Sequence, residues 1–323
     1  MEFAMYCRLC GGPSDHVLSY DLGHLQPGWW GRGVSTLIEI RRCRTHGTWF
    51  TSAPPAPEDL ASQYAVTPVE EYYDDPLHDP KVRVASGLAW MREQLPDRGA
   101  LVDVGGGNGA FARAAFLAGY DAALSEVCDL NEEPLRQAGI DVVGPLDESH
   151  AGRFDIATLW DVYEHVWPHH SFLAPIHRAL RPGGHLVIEV PTPSHLTPMF
   201  AAAATMSDPA TAARYAAHIC SYTHLQLMTE SELRATLPNY GFEVVATQTL
   251  SALSYKGEAY VRRFVPHAGA AQWLGGLFDR HAFRRVVIGT NKLRLICRRI
   301  AEPAVLDMPK QVVRAWDLHD RAA

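Results

Sequence analysis

Leu101-Val102-Asp103-Val104-Gly105-Gly106-Gly107-Asn108-Gly109-Ala110 reads as a short apolar strand running into a glycine-rich loop and then into a helix that begins near Ala110. Glycines in such a loop permit backbone conformations and close approach that a Cβ would block, so a ligand can lie against the turn at the switch point of an open α/β sheet. The same letters satisfy the loose dinucleotide pattern as Gly105-x-Gly107-x-x-Ala110, so the loop alone leaves the cofactor open. Glu126, at the predicted end of the next strand, offers a carboxylate to two ribose hydroxyls, which NAD and S-adenosylmethionine both need. Asp103 separates them. A buried acid beside the loop suits the cationic amino-acid end of S-adenosylmethionine, whereas a pyrophosphate would be repelled.

Outward from the loop, short apolar runs alternate with amphipathic stretches. Ala100–Val104, Ala122–Val127, Phe154–Trp160, Gly184–Val190, Phe242–Thr247 and Val286–Ile296 read as strands, which predicts an α/β fold with a Rossmann-like doubly wound sheet. The last two lack the parallel-crossover rhythm and are expected to add an antiparallel pair. The spacing of Val82, Val84, Leu88, Trp90, Met91 and Leu95 predicts a helix over one edge of the sheet, ended by Pro96-Asp97-Arg98-Gly99. Pro54-Pro55-Ala56-Pro57 marks a boundary, and the alanine-rich stretch 196–225 reads as an inserted helical cap over the substrate side. The expected organisation is an N-terminal module at 1–57, a helical linker and cap at 58–98, a cofactor-binding domain at 99–300 containing the 196–225 insertion, and a tail at 301–323.

The 323 residues are 47% hydrophobic and 20% charged with a formal charge of -7, which excludes a disordered chain and argues against a protein built to neutralise a phosphate backbone. No apolar run approaches the roughly 18 residues of a membrane helix. Met1–Cys7 has neither a basic n-region nor an apolar h-region, so a cytoplasmic location is expected. Cysteines there read as thiols or metal ligands rather than disulfides.

Three of the six cysteines fall within the first 43 residues. Cys7-x-x-Cys10 is followed by Gly11-Gly12, a tight turn in which two thiolates face one centre and backbone N–H groups face the sulfurs. Cys43-x-x-His46-Gly47 repeats the pattern after 32 intervening residues, with the β-branched run Ser35–Ile40 as a strand between. Two such knuckles supply the four ligands of a closed, structural tetrahedral zinc site, a zinc-ribbon-like arrangement. His16 and His24 are alternatives to His46 for the fourth position.

Taken together, these features resemble the class I S-adenosylmethionine-dependent methyltransferases across nearly all of the chain. Asp103–Gly109 looks like their first motif and Glu126 matches their ribose-binding acid; Asp161 falls with the cofactor-binding set. Phe154–Val166 is similar to their fourth-strand motif, Leu180–Pro191 to the helix end and fifth strand that follow, and His224–Thr229 with Tyr240–Val244 completes the order. The N-terminal portion resembles a subgroup with a Cys-x-x-Cys pair of knuckles, common among small-molecule and deoxysugar methyltransferases, from which His46 departs. The large second α/β domain of the sugar C-methyltransferases is not expected in this sequence, which lowers the expectation of that substrate class. The resemblance implies methyl transfer to an O, N or C atom of a small molecule, as in natural-product biosynthesis.

Methyl transfer needs an in-line acceptor, and a base only if the nucleophile must shed a proton. His165 and His224 are the expected bases near neutral pH, with Tyr222 orienting the acceptor. Asp161, Glu164 and His165 also read simply as capping residues at a helix start. Similarity to ubiquinone-type O-methyltransferases, in which an acid-x-x-Glu-His stretch is associated with a divalent metal, implies such an ion at these three residues. His218 and the pair His169-His170 read as surface histidines. Met199, Phe200, Met206, Tyr215 and Tyr222 fit a hydrophobic or aromatic acceptor, or ordinary packing. Two other readings stay open: a non-methylating use of S-adenosylmethionine such as intramolecular cyclisation, which methyl-labelled cofactor would expose, and a zinc-ribbon scaffold with a degenerate fold, which absence of cofactor binding would favour.

Overall fold

The computed structural model describes residues 6–7, 9–21, 37–52, 81–128, 130–167, 169–193, 205, 207–208, 224–252, 256–262, 265 and 267–300. Strands β1 (Ser14–Asp21), β2 (Leu37–Cys43) and β3 (Trp49–Thr51) come first, and β2 carries the chain directly into Cys43. Helix α1 (Lys81–Gln94) follows. Its Val84, Leu88 and Met91, continued by Leu95 just past its end, recur at helical spacing and pack with Trp90 against Leu101 and Phe111; Pro96 follows.

Next come β4 (Ala100–Val104), α2 (Ala110–Leu117), β5 (Asp121–Ser125), α3 (Glu133–Gln137), β6 (Asp141–Val142), β7 (Phe154–Trp160), α4 (His169–Ala179) and β8 (Leu180–Pro191). β4, β5, β6, β7 and β8 are parallel, and β4 reads as an almost unbroken apolar run because both of its faces are covered. From β4 the chain winds outward through β5 to β6, then returns to the other side of β4 for β7 and β8. That reversal opens a crevice at the carboxyl ends of β4 and β7.

After β9 (Gln226–Leu227) and α5 (Glu230–Thr236), the sheet ends in β10 (Phe242–Leu250) and β11 (Lys292–Arg299), giving the order β10-β11-β8-β7-β4-β5-β6. β11 is antiparallel to both neighbours, as the lost crossover rhythm predicts. Leu250 pairs with Lys292, yet helices α6 (Gly257–Arg262), α7 (Ala268–Phe278) and α8 (His281–Ile288) lie between them in sequence. At the base of this excursion the Asn291 side chain accepts from Ala252 N at 2.8 Å and donates to Ala252 O at 2.7 Å, doing what a strand backbone would do.

Several boundaries differ from the sequence expectation. Val286–Ile288 ends α8 rather than starting a strand, because Gly289 at φ 63° breaks the chain there and β11 begins only at Lys292. β5 stops at Ser125, so Glu126 sits in the following loop. β8 starts at Leu180; its register jumps from Phe154–Leu180 to Ile156–His185, and Arg181–Gly184 bulges outward beside Asp155, which accepts from Ala100 N and Arg181. Strand β6 is too short to show a period. His169 is buried, not at the surface, between Tyr163 and Trp167, while His170 is exposed.

A second sheet has the order β1-β2-β3-β9. Its last strand belongs to the stretch that precedes α5, with Trp49 opposite Leu227 and Phe50 opposite Gln226. The apolar core runs without a break from Cys7, Leu9, Cys43 and Phe50 to Leu233, Leu237, Phe242 and the inner face of the main sheet. Burying a Leu or Phe side chain stabilises by about 1.5–3 kcal/mol, so this shared core binds the N-terminal sheet firmly to the rest. No helix among the described residues is long and apolar enough to cross a membrane. The cap expected at 196–225 lies almost wholly outside the described residues, as do His24, Tyr222, His218, Cys220 and the expected tail.

Candidate functional site

The loop after β4 has Gly105 and Gly107 at φ 66° and 56°, conformations that suit glycine. A Cβ on Gly106 would lie 2.3 Å from Asp103 Oδ2 and 2.6 Å from Leu124, so the loop folds tightly over the acid. Asp103 is fully buried, its Oδ1 accepts from Thr158 Oγ1 at 2.7 Å across the parallel pair, and its Oδ2 has no hydrogen-bond partner among the described residues. Burial pushes its pKa up to about 7, against the Thr158 hydrogen bond. Glu126 closes the far side of the loop: Oε2 accepts from Gly107 N at 2.7 Å, and Oε1 accepts from Val127 N at 2.7 Å and Cys128 N at 3.0 Å. Asp103, Gly105, Gly107 and Glu126 thus share one crevice, at the carboxyl ends of β4 and β5.

Across the crevice, β7 is followed by Asp161, a non-glycine residue at φ 56°, a conformation that costs of order 1 kcal/mol or more. Its carboxylate is held by Arg83 Nη1 at 2.7 Å and by Lys292 Nζ. Arg83 also reaches Glu189 Oε1 at 2.6 Å, and Arg294 meets Glu189 Oε2 at 2.6 Å, so α1, β7, β8 and β11 are tied by one buried ionic chain. These two cations hold Asp161 well below the usual carboxylate range despite its burial.

Glu164 and His165 follow in the short helical turn after β7. His165 and His224 lie edge to face with ring centroids 4.7 Å apart, and His165 Nε2 is 3.8 Å from Glu164 Oε1. Glu164 is fully buried, and neither carboxylate oxygen has a hydrogen-bond partner among the described residues. Burial, with Asp161 nearby, pushes it up to about 8. Burial likewise pushes His224 down to about 3, so that imidazole stays neutral at physiological pH. Metal-ligand atoms gather here as Glu164, His165 and His224, not as Asp161, Glu164 and His165, because Arg83 and Lys292 occupy the Asp161 carboxylate.

A second cluster forms where the two sheets meet. Cys7, Cys10 and Cys43 bring their sulfurs together with a carboxylate oxygen of Glu232, all within 4.8 Å of one another. Gly11 and Gly47 take φ 69° and 76°, giving the two knuckle turns; Gly12 N and His46 N each donate to a sulfur, Cys10 and Cys43 respectively, at 3.4 Å. Zn–S bonds of 2.3 Å in a tetrahedron put sulfurs about 3.8 Å apart, and Cys10 Sγ and Cys43 Sγ are 3.7 Å apart. The donor set therefore fits a tetrahedral zinc ion. His46 stands one step back, with Nδ1 3.4 Å from Glu232 Oε2. His16 instead meets Ser19 on an exposed face at 3.0 Å.

Sequence reasoning overlooked Arg83, Glu189, Lys292, Arg294, Thr158 and Glu232. The signal for three of them was present: Glu189, Lys292 and Arg294 are charges inside otherwise apolar strands, a pattern that calls for buried partners.

A family model described as a methyltransferase domain matches residues 77–247. No curated protein sequence gives a significant match. Among solved structures, the chain is similar to 1,6-didemethyltoxoflavin-N1-methyltransferase of Burkholderia thailandensis, with 18% identity and a TM-score of 0.48 over 81% of this chain and 96% of that one. It is also similar to an S-adenosylmethionine-dependent methyltransferase of Mesorhizobium loti, with 20% identity and a TM-score of 0.43 over 65% and 96%. Magnesium protoporphyrin IX methyltransferase of Synechocystis PCC 6803 follows, with 17% identity and a TM-score of 0.41 over 67% and 82%.

Proposed function

The chain belongs to the methyltransferase-domain family, and from that premise we propose that it transfers a methyl group from S-adenosylmethionine to a small molecule held at the carboxyl edge of the main sheet. The observation that carries this reading is the placement of a buried acid, a glycine cradle and a second acid on one side of the crevice, with His165 and His224 on the other.

When bound, S-adenosylmethionine would supply an electrophilic methyl carbon, which the acceptor nucleophile would take in line as the carbon–sulfur bond breaks and the neutral thioether, S-adenosylhomocysteine, leaves. Glu126 holds the ribose end: Oε1 already takes two backbone amides, while Oε2 takes one and keeps acceptor capacity for a hydroxyl. Asp103 faces the amino-acid end, and Gly105 and Gly107 let the backbone approach. Asp161, fixed by Arg83 and Lys292, shapes the floor between cofactor and acceptor. His165 takes the acceptor's proton where one must leave. His224, whose low pKa makes it a weak base, orients the acceptor or His165 instead, as does Tyr222 in this reading. Cys7, Cys10 and Cys43 hold a structural zinc ion, supported by the gathering of their sulfurs within 4.8 Å of one another and by the 3.7 Å between those of Cys10 and Cys43. The chain's net charge of -7 supports a small acceptor over a nucleic acid.

Glu126→Ala is expected to weaken S-adenosylmethionine binding at least tenfold by titration calorimetry, since a hydrogen bond to a charged group contributes roughly 1.5–3 kcal/mol. Tight binding of NAD with none of S-adenosylmethionine overturns the cofactor assignment. Mass spectrometry with methyl-labelled cofactor then tests the reaction: product formed without the label means a non-methylating use.

Asp103 links cofactor binding to pH. An ammonium group beside the carboxyl favours its ionised form, so binding releases a proton near neutrality and affinity rises as pH climbs through about 7. In the free protein, the shift from 3.8 to about 7 makes stability greatest below the lower value and reduces it as pH rises through the upper one. Calorimetry in two buffers of different ionisation enthalpy reads the proton. Proton release that disappears in Asp103→Asn supports the assignment, and release unchanged in that variant refutes it.

A further inference from the structure

Glu232 lies in the wrong place for an ordinary helix-cap acid. It occupies the third position of α5 after Thr229, whose Oγ1 accepts from Glu232 N at 3.2 Å, a sequence that reads as an exposed capping box. Instead its side chain is fully buried, with Oε1 3.9 Å from Cys7 Sγ and Oε2 lacking any hydrogen-bond partner among the described residues. No Lys or Arg is among its ion-pair partners in the described residues; His46 is the one such neighbour. A buried carboxylate without a strong cation is costly by several kcal/mol, and a dication between the sulfurs and this oxygen removes that cost.

We propose that Glu232, from the methyl-transfer part of the chain, is the fourth ligand of the metal held by Cys7, Cys10 and Cys43, so that the ion joins the N-terminal sheet to α5. This rests on the reading of the cysteine cluster as a zinc site. His46 then supports the ligand from outside, its Nδ1 3.4 Å from the second carboxylate oxygen, the usual place for a group that steadies a ligating acid. The metal thereby also acts on the acceptor side of the crevice. Thr229 Oγ1, next to α5, donates to His46 O at 2.7 Å, and β9 pairs with β3. Just before β9, Leu225 N donates to Glu164 O at 2.9 Å while Thr51 N donates to Leu225 O at 3.0 Å. Gln226 Nε2 donates to Tyr163 O at 3.1 Å. His224 is the residue immediately ahead of this clamped segment, so the ion fixes where His224 meets His165.

The test uses the full chain purified without chelators, with metal content by elemental analysis, affinity by competition against a chromophoric chelator, and the visible spectrum after Co²⁺ substitution. One equivalent of metal is expected in the wild type, with at least a hundredfold weaker binding in Glu232→Gln and a smaller loss, about 10- to 100-fold, in His46→Ala. Glu232→Cys guards against a folding failure: it should keep one equivalent and gain a fourth sulfur-to-cobalt charge-transfer contribution. Hydrogen exchange of the 224–228 peptide should accelerate when metal is stripped. A metal-free wild type removes the zinc reading and this proposal together. A wild type with metal, unchanged affinity in Glu232→Gln and lost metal in His46→Ala leaves zinc in place and overturns the Glu232 assignment alone.

Discussion

His165→Ala should lower kcat by roughly 10²–10⁴ once an acceptor that must lose a proton is supplied, with S-adenosylmethionine affinity nearly unchanged. The argument rests on what surrounds each alternative base. Glu164 is buried away from solvent and pushed towards its protonated form, Asp161 is already neutralised by Arg83 and Lys292, and burial makes His224 a weak proton acceptor. His165 remains, beside both His224 and Glu164. A divalent ion held by Glu164, His165 and His224 would lower the acceptor's pKa in place of a base and gives a different pattern. In that case brief EDTA treatment abolishes turnover, and Glu164→Gln, which keeps the shape but removes a ligand charge, is as damaging as His165→Ala. If His165 is the base, brief EDTA leaves the rate intact and Glu164→Gln is mild. Full activity after both EDTA and His165→Ala removes both roles and returns His165 to packing.

Loss of the cysteine cluster should have the larger effect on stability. Cys43→Ser, or prolonged chelation, is expected to lower the melting temperature by about 10 °C or more, because structural zinc binds with roughly 10–16 kcal/mol and that energy is coupled to folding, while about 1 kcal/mol shifts Tm by roughly 2–4 °C in chains of this order of size. The core that contains Cys7, Cys43 and Phe50 continues into Leu233, Leu237 and Phe242. The N-terminal sheet therefore should not melt separately: calorimetry should show one shifted transition rather than a new early one. Cys7→Ser and Cys43→Ser both keeping the wild-type melting temperature, in a protein that carries no metal when purified without chelators, would refute the zinc reading. The chemical step itself should suffer less than the stability.

The fold was legible because its decisive strands are short, apolar and bounded by glycine or proline. Ala100–Val104 and Phe154–Trp160 appear with the boundaries the pattern predicts, and Asp103, Gly105, Gly107 and Glu126 gather round one crevice. What periodicity could not show is pairing at a distance. Lys292 and Arg294 lie far along the chain from Asp161 and Glu189, and only the antiparallel register of β11 against β8 brings them within reach. Glu232 was hidden for a different reason: Thr229-x-x-Glu232 carries a local meaning as a helix start, which masks a second use of the side chain. Val286–Ile288 misled because β-branched residues at the end of a short helix look the same as residues entering a strand.

Helices α6, α7 and α8, between Leu250 and Lys292, have an evolutionary consequence. An antiparallel pair can be closed by a two-residue turn, and lengthening such a connection adds little entropy cost, about 0.6 kcal/mol per doubling. Asn291, where the chain returns, bonds both ways to Ala252, where it leaves, so the two strands are held together at the base of the excursion. Exchange of that segment between lineages, for a shorter loop or a different helical unit, can proceed without retuning the strands that carry the site. Selection can thus remodel this edge of the molecule at a pace of its own, while the charges on β11, which belong to the ionic chain, hold the neighbouring strand to a much narrower range of change.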